Sequence, residues 1–235
     1  MQIKAGRLLG EGGFAFVYEA MDVATGRAVC LKRMIIGSNQ SAEDTARKEI
    51  RLMQQLSGNP EIVTYFGSSV VEHGSSKDAY IVMEFCQSGH LFGVLQKMAS
   101  ENRLFPPREA ARLMAQVAAG LRVLHAQTPP VAHRDIKLEN ILVTAENACK
   151  LCDFGSAAVG AQSVKSQSER STQEELIEKN TTQMYRAPEM CDLFSLPRNG
   201  TLDEAVDIWA LGCVFYAMLF LVHPFQVGSV GGSIF

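Results

Sequence analysis

Val131-Ala132-His133-Arg134-Asp135-Ile136-Lys137-Leu138-Glu139-Asn140-Ile141-Leu142, followed after a short polar break by Lys150-Leu151-Cys152-Asp153-Phe154-Gly155, is the stretch on which the fold turns. The apolar runs around the break predict short strands over 140–144 and 148–151. Asp135, Lys137, Asn140 and Asp153 fall near the ends of such runs, where rigid elements can present polar side chains from the loops that follow. As a solvated loop, four such residues at these places would be a remote coincidence.

Upstream, residues 1–85 alternate apolar runs with glycine and polar breaks, and the pattern predicts antiparallel strands at 7–9, 14–20, 28–31, 63–71 and 80–85. Ile50, Met53 and Leu56 share one face of a helix predicted over 42–56, stopped by Ser57-Gly58-Asn59-Pro60. Between the first two strands lies Gly10-Glu11-Gly12-Gly13-Phe14-Ala15-Phe16-Val17. Glycines at 10, 12 and 13 leave backbone N–H groups open to close approach by phosphate oxygens. An ordinary glycine hairpin fits these residues equally well, and a Walker A loop fits poorly because no Gly-Lys-Ser/Thr follows. Lys32 closes Val29-Cys30-Leu31-Lys32, so alternation puts Cys30 and Lys32 on one face, where an inward ammonium needs an anion. Glu49 is best placed to supply it. The alternative is a solvated basic face carrying Arg47, Lys48 and Arg51.

Downstream, Ala110, Leu113, Met114, Val117, Leu121 and Leu124 form one apolar stripe of a helix predicted over 108–125. Residues 156–182, rich in Ser, Thr, Gln and Glu, read as a mobile polar segment. The apolar run 208–222 is too short to span a bilayer comfortably and reads as a buried helix. The expected architecture is α+β and two-lobed. A sheet-rich lobe over 1–85 meets a helical lobe over 86–235, with a crossing near 84–89 where a cleft would form.

A chain of 235 residues with 47% hydrophobic content is globular rather than disordered. Its net charge of -3 gives no electrostatic reason to expect nucleic acid or an acidic membrane as partner, so any bound anion must be held locally. Six cysteines inside apolar stretches suit reduced thiols in the cytoplasm. Cys149 and Cys152 form a lone Cys-x-x-Cys with no second pair, which argues against zinc. His73, His90, His125 and His223 show no metal or nucleophile spacing and read as surface or core residues. The N-terminus lacks the apolar core of a signal peptide, so export is not expected.

The His133-Arg134-Asp135 and Asp153-Phe154-Gly155 motifs resemble those of the eukaryotic protein kinases. Glu189 in Tyr185-Arg186-Ala187-Pro188-Glu189 and Asp207 in Asp207-Ile208-Trp209 match two further landmarks in order. The resemblance spans nearly the whole chain. It implies ATP and Mg²⁺: Lys32 would hold the α- and β-phosphates and pair with Glu49, while Asn140 and Asp153 would hold the metal. Asp135 would orient the substrate hydroxyl and accept its proton, and Lys137 would neutralise charge on the moving phosphoryl group. Lys137, two residues after Asp135, resembles the Ser/Thr-specific kinases. Gly10, Gly12, Gly13, Val17, Cys30, Leu142 and Cys152 would line the nucleotide site. Backbone groups around Glu84 and Cys86 would bind adenine, with Met83 gating the back of the pocket.

Leu8–Tyr18, Leu151–Ala157 and Asn180–Glu189 resemble the Numb-associated kinase group. That likeness implies protein substrates among clathrin-adaptor subunits and a cytoplasmic place beside endocytic membranes. The interval from Glu189 to Asp207 exceeds the usual kinase interval and is similar to that group's extra helix after the activation segment. Several positions depart from the family pattern. Ala15 replaces the third loop glycine, which is tolerable if its φ is negative. Cys30 stands where a smaller Ala is usual. Cys152 reads as a buried small hydrophobe with a protonated thiol, the alternative being a reactive thiol at the nucleotide site. Arg134 before Asp135 resembles kinases organised by a phosphate, for which Ser163, Ser166, Ser168, Ser171 and Thr172 offer hydroxyls; a solvated linker is the alternative. Thr182 is expected to position the substrate loop near Asp135. The later helices of the second lobe are missing from the sequence, and the glycine-rich tail 228–234 resembles none of them. The missing cover over Phe215, Leu219, Phe220 and Leu221 is therefore expected from a longer chain. A catalytically silent kinase-shaped interaction module, or an inactive fragment, is the alternative to an active enzyme.

Overall fold

The apolar runs of the first part of the chain pair into a five-stranded antiparallel sheet. A computed structural model describes residues 1–13, 15–194, 196 and 200–226, and divides into two units, Met1–Cys86 and Gln87–Phe235. In the first, β1 (Ile3–Gly12), β2 (Ala15–Asp22), β3 (Ala28–Gly37), β4 (Tyr65–His73) and β5 (Ser76–Glu84) lie in the order β1-β2-β3-β5-β4. One face of β3 sends Val29 and Leu31 into a cluster with Ala20 and Val82. Alternation turns Lys32, Met34 and Ile36 to the other face, where all three are buried. The helix α1 (Gln40–Leu56) packs against β3, β4 and β5. Asn39 caps it, its side chain accepting from the Ala42 N–H at 3.2 Å. The strand containing Lys32 runs five residues past the expected end, to Gly37.

The second unit begins with α2 (Leu91–Ser100), a helix not expected from the sequence, and α3 (Pro107–His125), whose buried face is the expected stripe plus Gly120. Short antiparallel pairs follow. β6 (Val131–Ala132) pairs with β9 (Ala158–Val159), β7 (Ile141–Val143) with β8 (Cys149–Leu151), and β10 (Gln162–Ser163) with β11 (Thr201–Leu202). The segment 156–182, read from the sequence as a mobile polar stretch, carries β9, β10 and a 14-residue helix, α4 (Gln167–Asn180). Its polarity concealed it, but its start is a capping box in which Ser166 and Glu169 satisfy each other's backbone N–H groups. α5 (Pro188–Cys191) leads to α6 (Ala205–Phe220). The extra helix expected between Glu189 and Asp207 is not found: the described residues between α5 and α6 form β11 and no helix.

Asp207 and Val214 on α6 are buried, while Ile208, Trp209, Tyr216 and Phe220 are exposed. Of the four apolar residues expected to need cover, Phe220 is exposed and Phe215, Leu219 and Leu221 are half-buried. The tail 228–234 lies outside the described residues. Among the described residues no helix is long and apolar enough to cross a membrane, and all six cysteines are free.

Candidate active site

In the first unit, Lys32 Nζ lies 2.7 Å from Glu49 Oε1, and both side chains are nearly excluded from water. A strand and a helix thus bring together two residues 17 apart in sequence. Cys30, two residues earlier on the same face, has its thiol pushed up to about 11 by burial, against the opposing pull of Lys32. It stays protonated at neutral pH. Met83 pairs with Cys30 across β3 and β5 and is buried. The Glu84 carboxylate accepts from the Thr64 hydroxyl at 2.8 Å, and the Glu84 N–H donates to the Thr64 carbonyl at 2.9 Å.

The β1–β2 hairpin pairs Gly10 with Val17 and Gly12 with Ala15. A Cβ built at Gly10, Gly12 or Gly13 would meet nothing within 4 Å, and Gly13 has φ +35. The hairpin therefore presents bare backbone, as a phosphate cradle requires. Ala15 is not among the described non-glycine residues with positive φ, so its methyl group is tolerated.

In the second unit the catalytic-loop candidates converge. Asp135 Oδ1 accepts from the Thr182 N–H at 3.0 Å and from its hydroxyl at 2.7 Å. Asp135 Oδ2 lies 2.8 Å from Lys137 Nζ and accepts from Asn140 Nδ2 at 3.0 Å. Lys137 also donates to the Thr182 hydroxyl oxygen at 2.8 Å. Asn140 spends its amide hydrogens on Asp135, on the carbonyl at 2.8 Å as well as the carboxylate, which leaves Oδ1 as a hard oxygen donor. The Cys152 N–H and thiol both donate to the Asn140 carbonyl, at 3.1 and 3.4 Å. That tie joins Asp153, the next residue, to the catalytic loop. Asp153 has φ +63, and its Oδ1 accepts from the Gly155 N–H at 3.3 Å. Leu142 lies half-buried on β7 opposite Lys150.

Among the described residues no group of three or more His, Cys, Asp or Glu side chains is set to hold a metal. Asn140 and Asp153 nonetheless suit Mg²⁺, which is held through one or two protein oxygens and completes its shell with phosphates and water.

Asp207 organises this loop from below. Its buried carboxylate accepts from the His133 and Arg134 N–H groups, each at 2.8 Å, and lies 2.9 Å from His125 Nε2. Arg134 has φ +68, a left-handed backbone that costs roughly 1–2 kcal/mol for an L residue. The hydrogen bonds that the His133 and Arg134 N–H groups donate to Asp207 offset that strain. His133 accepts from the Asp135 N–H through Nδ1, so its Nε2 carries the proton donated to the Cys152 carbonyl at 3.0 Å. Its ring packs on Phe154, which is fully buried.

The model of the protein kinase domain matches residues 3–231. The chain belongs to the protein kinase domain family. It is 38% identical over 97% of its length to actin-regulating kinase 1 of Saccharomyces cerevisiae, covering 36% of that protein. It is 35% identical over 95% of its length to a probable serine/threonine-protein kinase of Dictyostelium discoideum, covering 20% of that protein. It is 34% identical over 96% of its length to the yeast actin-regulating kinase PRK1, covering 28% of it. The chain thus spans about a fifth to a third of these relatives.

Three contributors to the kinase loop were not read from the sequence. Asp207 was recognised as a landmark, but its clamp on the loop depends on a fold that joins residues more than 70 apart. His125, read as an ordinary surface or core residue, is the third group on that carboxylate. Gln173, inside the segment expected to be mobile, accepts from Arg134 Nη1 at 3.1 Å.

Proposed function

We propose that this protein kinase domain transfers the γ-phosphoryl group of ATP to serine or threonine hydroxyls of proteins. The observation that carries the reading is the closed set of contacts among Asp135, Lys137, Asn140 and Thr182, a carboxylate oriented on both oxygens with a cation beside it. In this reading the substrate hydroxyl approaches Asp135, which orients it and accepts its proton. Lys137 stabilises charge on the phosphoryl group in transit. Lys32, held by Glu49, meets the α- and β-phosphates, and the N–H groups of Gly10, Gly12 and Gly13 face the phosphate chain. Val17, Cys30, Met83, Leu142 and Cys152 surround the base, and backbone groups at Glu84 and Cys86 bind its edge. Asn140 and Asp153 hold Mg²⁺, which when bound neutralises charge on the β- and γ-phosphate oxygens.

The likeness of its motifs to the Numb-associated group supports substrates among clathrin-adaptor subunits and work in the cytoplasm at endocytic membranes.

A positioned base contributes roughly 10²- to 10⁴-fold, whereas the metal also holds the nucleotide. Asp153→Asn is therefore expected to lose Mg-ATP binding and transfer together, while Asp135→Asn keeps binding and loses transfer. Isothermal titration with Mg-ATP and phosphate transfer to a generic basic protein check this. Equal loss of binding in both variants would overturn the roles, and binding by the unaltered chain with no turnover would mean a silent module.

A further inference from the structure

The buried stripe of α4 consists of Arg170, Gln173 and Ile177. Only one of the three is apolar, too little burial to hold a 14-residue helix in place. Polar contacts do that instead. Arg170 donates to the carbonyls of Val164, Leu193 and Phe194 at 2.7–3.0 Å. Arg186 closes the C-terminal end, donating to the Thr181 hydroxyl at 2.8 Å and to the Thr181 and Ile177 carbonyls at 3.1 and 3.3 Å. These contacts fix the helix to the segments around it. Gln173 reaches the catalytic loop through Arg134.

Its position gives that contact leverage. Arg134 is the residue before Asp135, and its backbone N–H is held by Asp207. Two residues past the end of α4, Thr182 grips the Asp135 carboxylate. The helix is therefore tied to the loop twice, at its middle through Arg134 and beyond its end through Asp135. Arg134 Nη2 is buried with no partner, so the neutral acceptor leaves one donor unused. Two of the hydroxyls on this segment are engaged otherwise: Ser166 caps the helix and Thr172 donates to the Ser168 carbonyl at 2.9 Å.

We propose that Gln173 is a positioning residue: by accepting from Arg134 it fixes α4 to the catalytic loop and sets Asp135 for transfer with no phosphate on residues 156–182. The inference rests on the phosphoryl-transfer reading for its effect on rate, but its effect on the loop can be measured without nucleotide.

The test uses the 235-residue chain and three variants, Gln173→Leu, Gln173→Glu and, as a control on the exposed side of α4, Glu174→Gln. Amide exchange of peptides spanning 133–136 and 180–184 is measured without nucleotide, and kcat and the KM for ATP with a generic basic substrate. Gln173→Leu should speed exchange in both peptides roughly tenfold, as loss of one charge-assisted hydrogen bond implies. Its kcat should fall about as much, with KM for ATP changed less than about twofold. Gln173→Glu should restore both, since a carboxylate can engage the donor left unused, and Glu174→Gln should match the unaltered chain. Treatment with a broad-specificity phosphatase should leave kcat unchanged. Normal exchange in Gln173→Leu, or loss of kcat on phosphatase treatment, overturns the proposal. If Gln173→Leu does not fold, Gln173→Glu decides: exchange slower than or equal to the unaltered chain supports the contact, and faster exchange refutes it. A chain with no transfer at all would sink the phosphoryl-transfer reading, while the exchange data still decide the role of Gln173.

Discussion

Lys32 is placed by a strand and a helix, Asp135 by a loop. On β3 the alternation of side chains turns Lys32 to the face of α1, and Glu49 on that helix meets it at 2.7 Å. Asp135 follows a residue with φ +68 and is reached by Thr182, Lys137 and Asn140, while Asp207 holds the backbone just before it. Regular elements bring a charge to its partner through periodicity, and the pair then meets in a buried contact. Irregular backbone has no period to rely on, so its placement is spread over several polar groups that each contribute modestly. The two regions should fail differently.

The sharpest break is in the first unit. Glu49→Ala removes the carboxylate that lies 2.7 Å from the buried Lys32 ammonium, and removing one partner of a buried pair costs about 3–5 kcal/mol. Urea unfolding of the variant should show a loss of that size. A loss below about 1 kcal/mol would mean that water reaches Lys32 and the pair behaves as a surface contact.

In the second unit the corresponding weak point is Asp207, because one carboxylate serves two backbone N–H groups and His125. Asp207→Asn keeps the shape but turns an NH₂ toward one of those donors. Leaving a buried donor unsatisfied costs about 1–3 kcal/mol. The unfolding midpoint should therefore move less than for Glu49→Ala, while phosphate transfer falls further than stability alone explains, since His133 and Arg134, just before Asp135, lose their anchor. Transfer that tracks stability in both variants would erase the contrast between the regions.

The same contrast explains what the sequence revealed. The sheet, α1 and α3 follow from alternation and helical spacing, signals carried by neighbouring residues, whereas those signals left the Lys32–Glu49 pairing open against a solvated basic face and the kinase resemblance supplied it. The α2 helix was missed although Leu91, Val94, Leu95 and Met98 keep helical spacing, because Gly93 interrupts it and its cap is His90, an unusual N-cap whose Nδ1 accepts from the Gly93 N–H at 3.0 Å. The α4 helix was missed because its buried face is polar, so no apolar period marks it. Motif likeness singled out Asp135, Asn140 and Asp153. It did not reveal that Asp207, His125 and Gln173 converge behind them, since those contacts join α3, α4 and α6 to one loop and leave no local trace.

The one local trace that α4 did leave supplies the smallest effect. Ser166 and Glu169 form its capping box, with the Ser166 N–H donating to Glu169 Oε2 at 2.8 Å and the Glu169 N–H to Ser166 Oγ at 3.2 Å. Losing a serine cap costs about 1 kcal/mol, so Ser166→Ala should fray the start of α4 without unfolding the unit, visible as faster amide exchange at 167–170. Hydrogen bonds from the Ser166 backbone and then its side chain hold the Glu169 carboxyl below the usual carboxylate range. A folded-state value below the unfolded one means that the cap's support is complete above the ordinary carboxylate range and is lost as pH falls through the lowered value. The side-chain carbon shift of Glu169 should therefore titrate at lower pH than a free glutamate. Ser166→Ala should move that midpoint only part of the way back, because the backbone donor remains. Glu169→Gln should abolish the acid-side fraying altogether. A midpoint at the ordinary value would mean that the box is open in solution, leaving α4 to its contacts with Arg134, Arg186 and the carbonyls around Arg170, the distributed kind of hold that sets Asp135.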